Sequence, residues 1–147
     1  MFLLDTVVIS ELRRRGRDPG VVAWLSEQNS DDLYLSVISL GEIERGIVIK
    51  QKVDAVFARR LQGWLEGLLL LYGQRILPVD GAIARRWGQL SAEIGHDGAD
   101  LMIAATALEH GLQVVTRNVR HFIPTGVQVL NPFSPESPPT VPPLPPR

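Results

Sequence analysis

The first twelve residues constrain the fold of this chain more than any other segment. The apolar run of residues 2–4 ends at Asp5, and beyond Asp5 apolar residues recur with helical spacing from Val7 to Leu12. This pattern predicts a buried strand that ends at Asp5, where a helix begins. Asp5 fits two roles there. It can be a helix N-cap, or a functional carboxylate in the crevice beyond the strand ends, where open α/β sheets bind ligands.

Predicted strands and helices alternate along the rest of the chain. The first helix runs to about Arg14 and is followed by a short helix at 21–28, a strand at 33–36, a helix from Ser36 or Ser39 to Lys50, and a long helix from Asp54 to Gly73. The series continues with a strand at 75–79, a helix from Asp80 to about Glu93, a helix at 101–109, a strand at 112–116, a loop at 117–125 and an edge strand at 127–130. This alternation predicts an α/β fold whose five strands form a parallel sheet with helices on both faces.

The end of the chain differs in composition from the rest. Eight of the 11 prolines fall between Pro132 and Pro146. We therefore predict one folded domain over residues 1–133 and an extended, disordered proline-rich tail over residues 134–147. Such a tail is a spacer or a polyproline ligand for a partner.

The composition excludes several functional classes. The chain has no cysteine, which excludes disulfides, thiolate metal sites and cysteine nucleophiles and is compatible with a reducing compartment. Neither of the two glycine-rich phosphate-loop motifs occurs. We find no secretory signal and no apolar run long enough to span a membrane, so we expect a soluble, cytoplasmic protein.

A local cluster of arginines is the main basic feature. The formal net charge of −1 provides no overall basic field, so any contact with nucleic acid needs a local patch. Arg13, Arg14, Arg15 and Arg17 form such a patch, suited to RNA phosphates or to an acidic partner. Arginines in the last turn of a helix also complement its dipole, and the sequence leaves both interpretations open.

Four polar side chains are predicted to meet at one edge of the sheet. Asp5 follows the first strand, Glu42 lies one turn into the helix after the second strand, Asp100 opens a helix, and Asn118 follows the fourth strand. If the sheet is parallel, all four lie at its carboxyl edge. Mg²⁺ prefers oxygen ligands and binds through one or two carboxylates together with water and substrate phosphates. These residues therefore predict a divalent-metal site.

Each of these residues also has a structural interpretation. Asp100 favours the dipole of a helix that begins near the capping candidate Asp97. Asn118 is a common turn residue. Helical periodicity does not decide whether Glu42 or Glu44 is the glutamate that belongs to this cluster.

Two threonines and three histidines complete the polar candidates. Thr6 and Thr116 are either residues at the ends of strands or hydrogen-bond donors within the site. The three histidines show no spacing typical of a metal site, and His110 beside Gly111 suits the C-terminus of a helix.

Six short segments occur in a characteristic order. They are Leu4-Asp5-Thr6-Val7-Val8-Ile9-Ser10-Glu11-Leu12, Ser39-Leu40-Gly41-Glu42-Ile43-Glu44-Arg45-Gly46, Asp100-Leu101-Met102-Ile103-Ala104-Ala105-Thr106-Ala107, Thr116-Arg117-Asn118, His121-Phe122 and Leu130-Asn131-Pro132-Phe133. With these segments the chain, from Phe2 to about Phe133, resembles PIN-domain ribonucleases of the VapC/FitB toxin type. The resemblance implies a PIN-like three-layer α/β/α fold with a central, mostly parallel five-stranded sheet.

The resemblance also implies which residues form the site. Asp5, Glu42 and Asp100 correspond to the acids that bind the metal and catalyse the reaction, and Glu42 rather than Glu44 is the matching glutamate. Many relatives have a fourth acid after the fourth strand.

In this chain the candidates for the fourth position are Asn118 and His121. Neither carries a negative charge at neutral pH. A second metal is therefore expected to bind weakly, or only together with the substrate.

The implied activity is that of an Mg²⁺- or Mn²⁺-dependent endoribonuclease, the toxin of a toxin–antitoxin pair. The implied partners are the RNA substrate, a second copy in a homodimer or a dimer of toxin–antitoxin pairs, and a small VapB-like antitoxin whose C-terminal segment occupies the groove. Two alternatives remain open: a flap-like metal-dependent nuclease acting on DNA, and a non-catalytic partner-binding module whose acids are helix caps. A response-regulator receiver is disfavoured, because no lysine follows Lys52.

Overall fold

A computed structural model describes residues 1–135 of the chain. Most of the predicted proline-rich tail, residues 136–147, lies outside the described residues.

The described part consists of alternating strands and helices. In chain order these are β1 (Phe2–Leu4), α1 (Thr6–Glu11), α2 (Pro19–Ser26), β2 (Leu33–Ser36), α3 (Val37–Gln51), α4 (Ala55–Tyr72), β3 (Ile76–Leu77), α5 (Gly81–Ile94), α6 (Ala99–His110), β4 (Gln113–Val115), α7 (Val119–Phe122) and β5 (Val129–Leu130). Single 3₁₀ turns occur at Ser30–Asp32, Gly73–Arg75 and Ile123–Thr125. Within residues 1–135 no helix combines the length and the apolarity needed to cross a membrane.

The five strands form one sheet in the order β3-β2-β1-β4-β5. Every pair of neighbouring strands is parallel, which confirms the predicted parallel sheet. β1 lies at the centre, and its last residue, Leu4, is paired with Val115 at the end of β4. Asp5 and Thr116, the residues that follow, therefore emerge side by side at the carboxyl edge.

Helices cover both faces of the sheet. Successive strand residues point to opposite faces, and accordingly Leu4 and Val115 belong to one apolar core while Leu3 and Val114 belong to another. The first core is completed by α1 to α4 and the second mainly by α5 to α7. This is the predicted three-layer α/β/α arrangement.

The structure corrects the predicted start of the chain in two places. α1 ends at Glu11 rather than near Arg14, because the chain continues in tighter turns in which Arg13 N–H bonds to the carbonyl of Ser10. α2 begins at Pro19, two residues before the predicted start, because Asp18 caps it.

Two further corrections lie near the carboxyl edge. The N-cap of α6 is Gly98 rather than Asp97. The segment 117–125, predicted as a loop, contains α7, whose Phe122 is completely buried in the second core. A helix this short carries too little periodicity to be detected in the sequence.

Candidate metal centre and flanking clefts

Asp5 lies at the point where β1 passes into α1, and both its carboxylate oxygens are engaged. Oδ1 accepts a hydrogen bond of 2.8 Å from the backbone N–H of Thr6, which makes Asp5 the N-cap of α1. Oδ2 accepts one of 2.8 Å from the hydroxyl of Thr116, at the end of β4. Asp5 is only 4% exposed. The residue is therefore a cap and, at the same time, a buried acid fixed at the carboxyl edge.

The surroundings of Asp5 make its charge costly. Burial raises its pKa most strongly, the hydrogen bonds from Thr116 and Thr6 lower it, and the nearby carboxylates of Asp100 and Glu42 raise it. The result is a pKa raised from 3.8 to about 6. At neutral pH Asp5 is ionised, in a place where two other acids and the absence of water disfavour its charge.

Glu42, on α3, is connected to Asp5 through Thr6. The Thr6 hydroxyl lies 2.7 Å from Oε1 of Glu42 and 2.8 Å from the hydroxyl of Ser39. A hydroxyl has one proton, so Thr6 donates to the carboxylate, which can only accept, and Ser39 is the donor in the second contact. Glu44 is also exposed but makes no hydrogen bond or ion pair within residues 1–135. Of the two glutamates, Glu42 is the one that belongs to the cluster.

Asp100 occupies the first turn of α6, where its charge also complements the helix dipole. Its Oδ2 lies 2.9 Å from Nδ1 of His121, on α7; this contact becomes an ion pair when the imidazole is protonated. The side chain of Asp100 is 32% exposed. Asp100 is thus accessible from solvent while facing Asp5 closely enough to raise its pKa.

Asn118 does not contact the acids through its side chain within residues 1–135. Its backbone N–H donates to the hydroxyl of Thr116 at 2.9 Å, and its side chain faces a separate cleft described below. Of the two candidates for the fourth position, Asn118 is therefore linked to Asp5 through Thr116, whereas His121 contacts Asp100 directly.

The chemistry of the three acids fits a divalent cation. An ionised carboxylate offers about four lone-pair sites, and Asp5 uses two of them in hydrogen bonds. Asp100 and Glu42 retain accessible oxygens, and a cation among the three would offset their mutual repulsion. As the side chains stand, no group of three or more acids or histidines among residues 1–135 is arranged to hold a metal ion. An ion that keeps several water ligands, as Mg²⁺ does, needs only one or two direct carboxylate contacts, and the chemistry of these acids fits such an ion.

Two overlapping clefts lie beside α4, and the first of them includes Glu42. The α3–α4 cleft has a volume of about 330 Å³ and is lined by Thr6, Ser10, Arg13, Glu42, Ile43, Gly46, Ile47, Lys50, Phe57, Leu61 and Trp64. The Arg13–Trp64 cleft, of about 570 Å³, is lined by Arg13, Arg14, Arg15, Gly16, Phe57, Arg60, Leu61 and Trp64. The two clefts share four residues, so they form one continuous surface that is acidic at one end, aromatic in the middle and basic at the other.

The predicted arginines divide between these surfaces. Arg13 lines both clefts and lies over the ring of Phe57, 5.6 Å from its centre. Arg15 lines the second cleft, and Arg14 does so while pairing with Glu11 at 3.2 Å. Arg17 lines neither cleft and donates to the carbonyl of Arg14.

Three further residues of this surface were missed in the sequence. They are Lys50, Phe57 and Trp64. Lys50 lies 5.5 Å from the centre of the Phe57 ring, and Phe57 and Trp64 line both clefts. Helical periodicity predicts which residues of α4 face the core, and it does not indicate which of its residues line a cleft. The contacts of Phe57 depend on how α3 and α4 pack, which local sequence does not reveal.

Residues 2–123 match the PIN domain family model. The chain is 39% identical over 142 residues to VapC ribonuclease Y4jK of Sinorhizobium fredii, covering 92% of this chain and 99% of that protein. It is 38% identical over 140 residues to toxin FitB of Neisseria gonorrhoeae, covering 90% of this chain and 99% of that protein.

Solved structures resemble the chain over a similar length. The crystal structure of FitAcB from Neisseria gonorrhoeae superposes with a TM-score of 0.74 at 38% identity, covering 90% of this chain and 98% of that chain. FitAB bound to an IR36 DNA fragment gives a TM-score of 0.75 at 35% identity, covering 91% of this chain and 96% of that chain. DNA-bound VapBC from Salmonella typhimurium gives a TM-score of 0.73 at 27% identity, covering 89% of this chain and 97% of that chain.

Proposed function

The chain belongs to the PIN-domain family, and on that premise we propose that it is a metal-dependent endoribonuclease, the toxin of a toxin–antitoxin pair. Two relatives, a VapC ribonuclease and toxin FitB, align with this chain over 99% of their own length. The observation that carries the proposal is the cluster of Asp5, Glu42 and Asp100 at the carboxyl edge, in which burial and, to a smaller extent, the two neighbouring acids raise the pKa of Asp5 to about 6. A fold maintains such repulsion where a functional site requires it.

The metal we propose is Mg²⁺ or Mn²⁺, held by Asp5 and Asp100 with Glu42 directly or through water. When bound, such an ion supplies a more acidic water and stabilises the negative charge that develops on the phosphate. Oxygen-only ligands and a partly open position favour these ions over softer metals.

The protein's own residues then have distinct roles in this proposal. Thr116 and the start of α1 hold the carboxylate of Asp5 in one orientation. Thr6 does the same for Glu42, whose side chain is otherwise exposed. Glu42 is the acid best placed to accept a proton from the attacking water, because it is the most exposed of the three acids and, unlike Asp5, does not lie at the end of a strand.

The long surface beside Glu42 is our proposed site for the antitoxin. The FitAcB and VapBC structures are complexes of relatives with their partners. In this chain the α3–α4 cleft offers apolar side chains together with Arg13 and Lys50, which suits a peptide segment that has both apolar and acidic groups. We propose a VapB-like antitoxin as its occupant, and a homodimer or a dimer of toxin–antitoxin pairs as the assembly.

We further propose the extent of the nuclease unit and its compartment. Residues 1–133 would form the unit, since Phe133 is buried in the first core and Arg117 lies over its ring. The cytoplasm is the compartment in which a toxin of this kind meets its RNA substrate.

The test is a cleavage assay with protein freed of any co-purified peptide. A mixed RNA pool is incubated with Mg²⁺ or Mn²⁺, alongside an EDTA control and the Asp5→Asn variant. We expect cleavage that needs metal and is lost in the variant. Asp54→Asn is the matched control, because Asp54 only caps α4 and asparagine is an equally good cap. Cleavage of branched DNA but not of RNA, or no cleavage by a folded protein that binds no metal in calorimetry, would contradict the proposal.

A further inference from the structure

A further, polar cleft adjoins Asp100 through His121. It has a volume of about 690 Å³ and is lined by Arg117, Asn118, Val119, Arg120, His121 and Asn131. We call it the Arg117 cleft. None of its six lining residues carries a carboxylate, and five of them have polar side chains. The net charge of the chain is −1, so this concentration of cationic and amide groups is local.

The side chains of this cleft are rich in hydrogen-bond donors and carry no carboxylate. Neither Arg117 nor Arg120 makes a side-chain hydrogen bond or an ion pair within residues 1–135, and Arg117 lies over the Phe133 ring, 5.0 Å from its centre. Asn131 accepts the backbone N–H of Phe133 through Oδ1, at 3.0 Å, which leaves its amide nitrogen free to donate. Guanidinium and amide N–H groups arranged in this way suit a ligand that only accepts hydrogen bonds.

The Arg117 cleft is joined directly to the proposed metal centre. His121, one of its lining residues, contacts Asp100 at 2.9 Å. Thr116 precedes Arg117 in the chain, and its hydroxyl bonds both Asp5 and the backbone N–H of Asn118. A strand whose phosphate lies at the acids therefore reaches the Arg117 cleft without crossing another surface.

We propose that the Arg117 cleft binds the phosphate backbone of the RNA strand next to the bond that is cut, with Arg117 and Arg120 as the main contacts. The proposal rests on the ribonuclease function proposed above and adds a substrate-binding site to it. Phosphate oxygens are acceptors only, and arginine binds them through paired hydrogen bonds. A protein partner is less suited to this cleft, because Val119 is the one apolar side chain in its lining, whereas the α3–α4 cleft offers several.

The first test measures binding without cleavage. In the Asp5→Asn background with EDTA, the affinity for a fluorescently labelled single-stranded RNA is compared before and after Arg117→Gln/Arg120→Gln, by anisotropy. We expect Kd to rise about tenfold or more. The slope of log K against log salt should fall by about 0.7 for each phosphate contact removed from a single strand. Arg85→Gln/Arg86→Gln, on α5, removes the same charge from a different cleft and should leave both quantities close to the parent's.

The second test uses cleavage-competent protein. Arg117→Gln/Arg120→Gln should raise KM for the RNA and change kcat by less than threefold, since these contacts are made equally in the ground state and the transition state. The same measurement is repeated with Arg120→Gln alone, a variant that loses no side-chain hydrogen bond or ion pair within residues 1–135. Circular dichroism establishes that each variant is folded.

The outcomes separate this proposal from the one on which it rests. If the wild-type protein neither binds nor cuts RNA, the ribonuclease function fails and the cleft assignment fails with it. If the wild type cuts RNA while the cleft variants match the Arg85→Gln/Arg86→Gln control in Kd and KM, the cleft assignment alone is overturned. The same holds if the cleft variants bind RNA normally but lose the co-expressed antitoxin, which would give the cleft to the protein partner.

Discussion

The hydroxyl of Thr116 donates a hydrogen bond of 2.8 Å to Oδ2 of Asp5, joining the ends of two neighbouring strands across 111 positions of sequence. The same hydroxyl accepts the backbone N–H of Asn118 at 2.9 Å. Thr116 is completely buried, so water cannot replace either bond. One side chain thus orients an acid of the proposed metal centre and begins the turn that leads to the Arg117 cleft.

Replacing Thr116 by valine should impair both stability and activity. Thr116→Val leaves an oxygen of Asp5 and an N–H of Asn118 without their partner, at a cost of about 1–3 kcal/mol in the free energy of unfolding for a buried polar group. It also removes a bond that lowers the pKa of Asp5. The acidic limb of the pH–rate profile should therefore move to higher pH. Thr116→Ser retains the hydroxyl and should behave like the wild type. An active valine variant with an unshifted profile would contradict this role.

Asp5→Asn should stabilise the metal-free protein at neutral pH. The pKa of Asp5 is raised from 3.8 to about 6 in the folded state, so folding favours the protonated form. Below pH 3.8 the carboxyl is protonated in both states and no penalty exists. Between pH 3.8 and about 6 the penalty grows, and above pH 6 it is constant. At 1.36 kcal/mol for each pKa unit it amounts to about 3 kcal/mol.

The measurement is urea denaturation in EDTA at pH 4 and pH 7.5. The Asn variant should have the higher free energy of unfolding at pH 7.5, and most of its advantage should disappear at pH 4. A difference independent of pH would mean that the ionised form of Asp5 is not disfavoured in the folded protein.

The sequence predicted where Asp5 lies because the end of a strand is a local feature, and it predicted Asp100 at the start of a helix from the local pattern that begins that helix. An apolar run interrupted by an acid marks the end of β1, and an alternating series of strands and helices brings such ends to one edge. β4 is likewise an apolar run that ends at a polar residue, Thr116, and its parallel pairing with β1 brings Thr116 beside Asp5. These residues are positioned by the backbone, and the backbone pattern is visible in the sequence.

Glu42 illustrates what could not be derived in that way. Glu42 and Glu44 are both exposed on α3, and the helical period does not separate them. The choice depends on how α3 lies against α1, where Thr6 meets Glu42 and Ser39. The α3–α4 cleft and the Arg117 cleft depend on packing in the same manner, so Phe57 and Arg120 carried no signal before the structure was known.

Glu42→Gln and Glu44→Gln form a matched pair that tests this assignment. If Glu42 accepts the proton of the attacking water, its replacement should lower kcat about 100-fold or more. Glu44→Gln removes the same charge from the same helix and should change kcat less than threefold. Both substitutions are on exposed positions, so both variants should melt within a few degrees of the wild type. Equal activity of the two variants would remove Glu42 from the mechanism.

Gly20 supports a prediction about the end of the folded unit. A Cβ at this position would lie 2.5 Å from the carbonyl oxygen of Pro132 and 2.8 Å from the backbone nitrogen of Ser134. Asp18, the cap of α2, accepts the N–H groups of both Gly20 and Ser134, and these bonds outweigh burial to lower its pKa. Residues 132–134 are therefore seated on the first turn of α2, where only glycine leaves room.

Gly20→Ala should destabilise the protein by about 1–3 kcal/mol, the usual cost of overpacking against backbone that cannot move aside. This outcome opposes the helix propensity of alanine, which alone would stabilise α2 by up to about 1 kcal/mol. Gly67→Ala is the matched control, because a Cβ on Gly67 of α4 meets nothing within 4 Å. Urea denaturation should therefore show opposite signs for the two substitutions. Stabilisation by both would mean that residues 132–134 leave α2 in solution, and that the folded unit ends before Pro132.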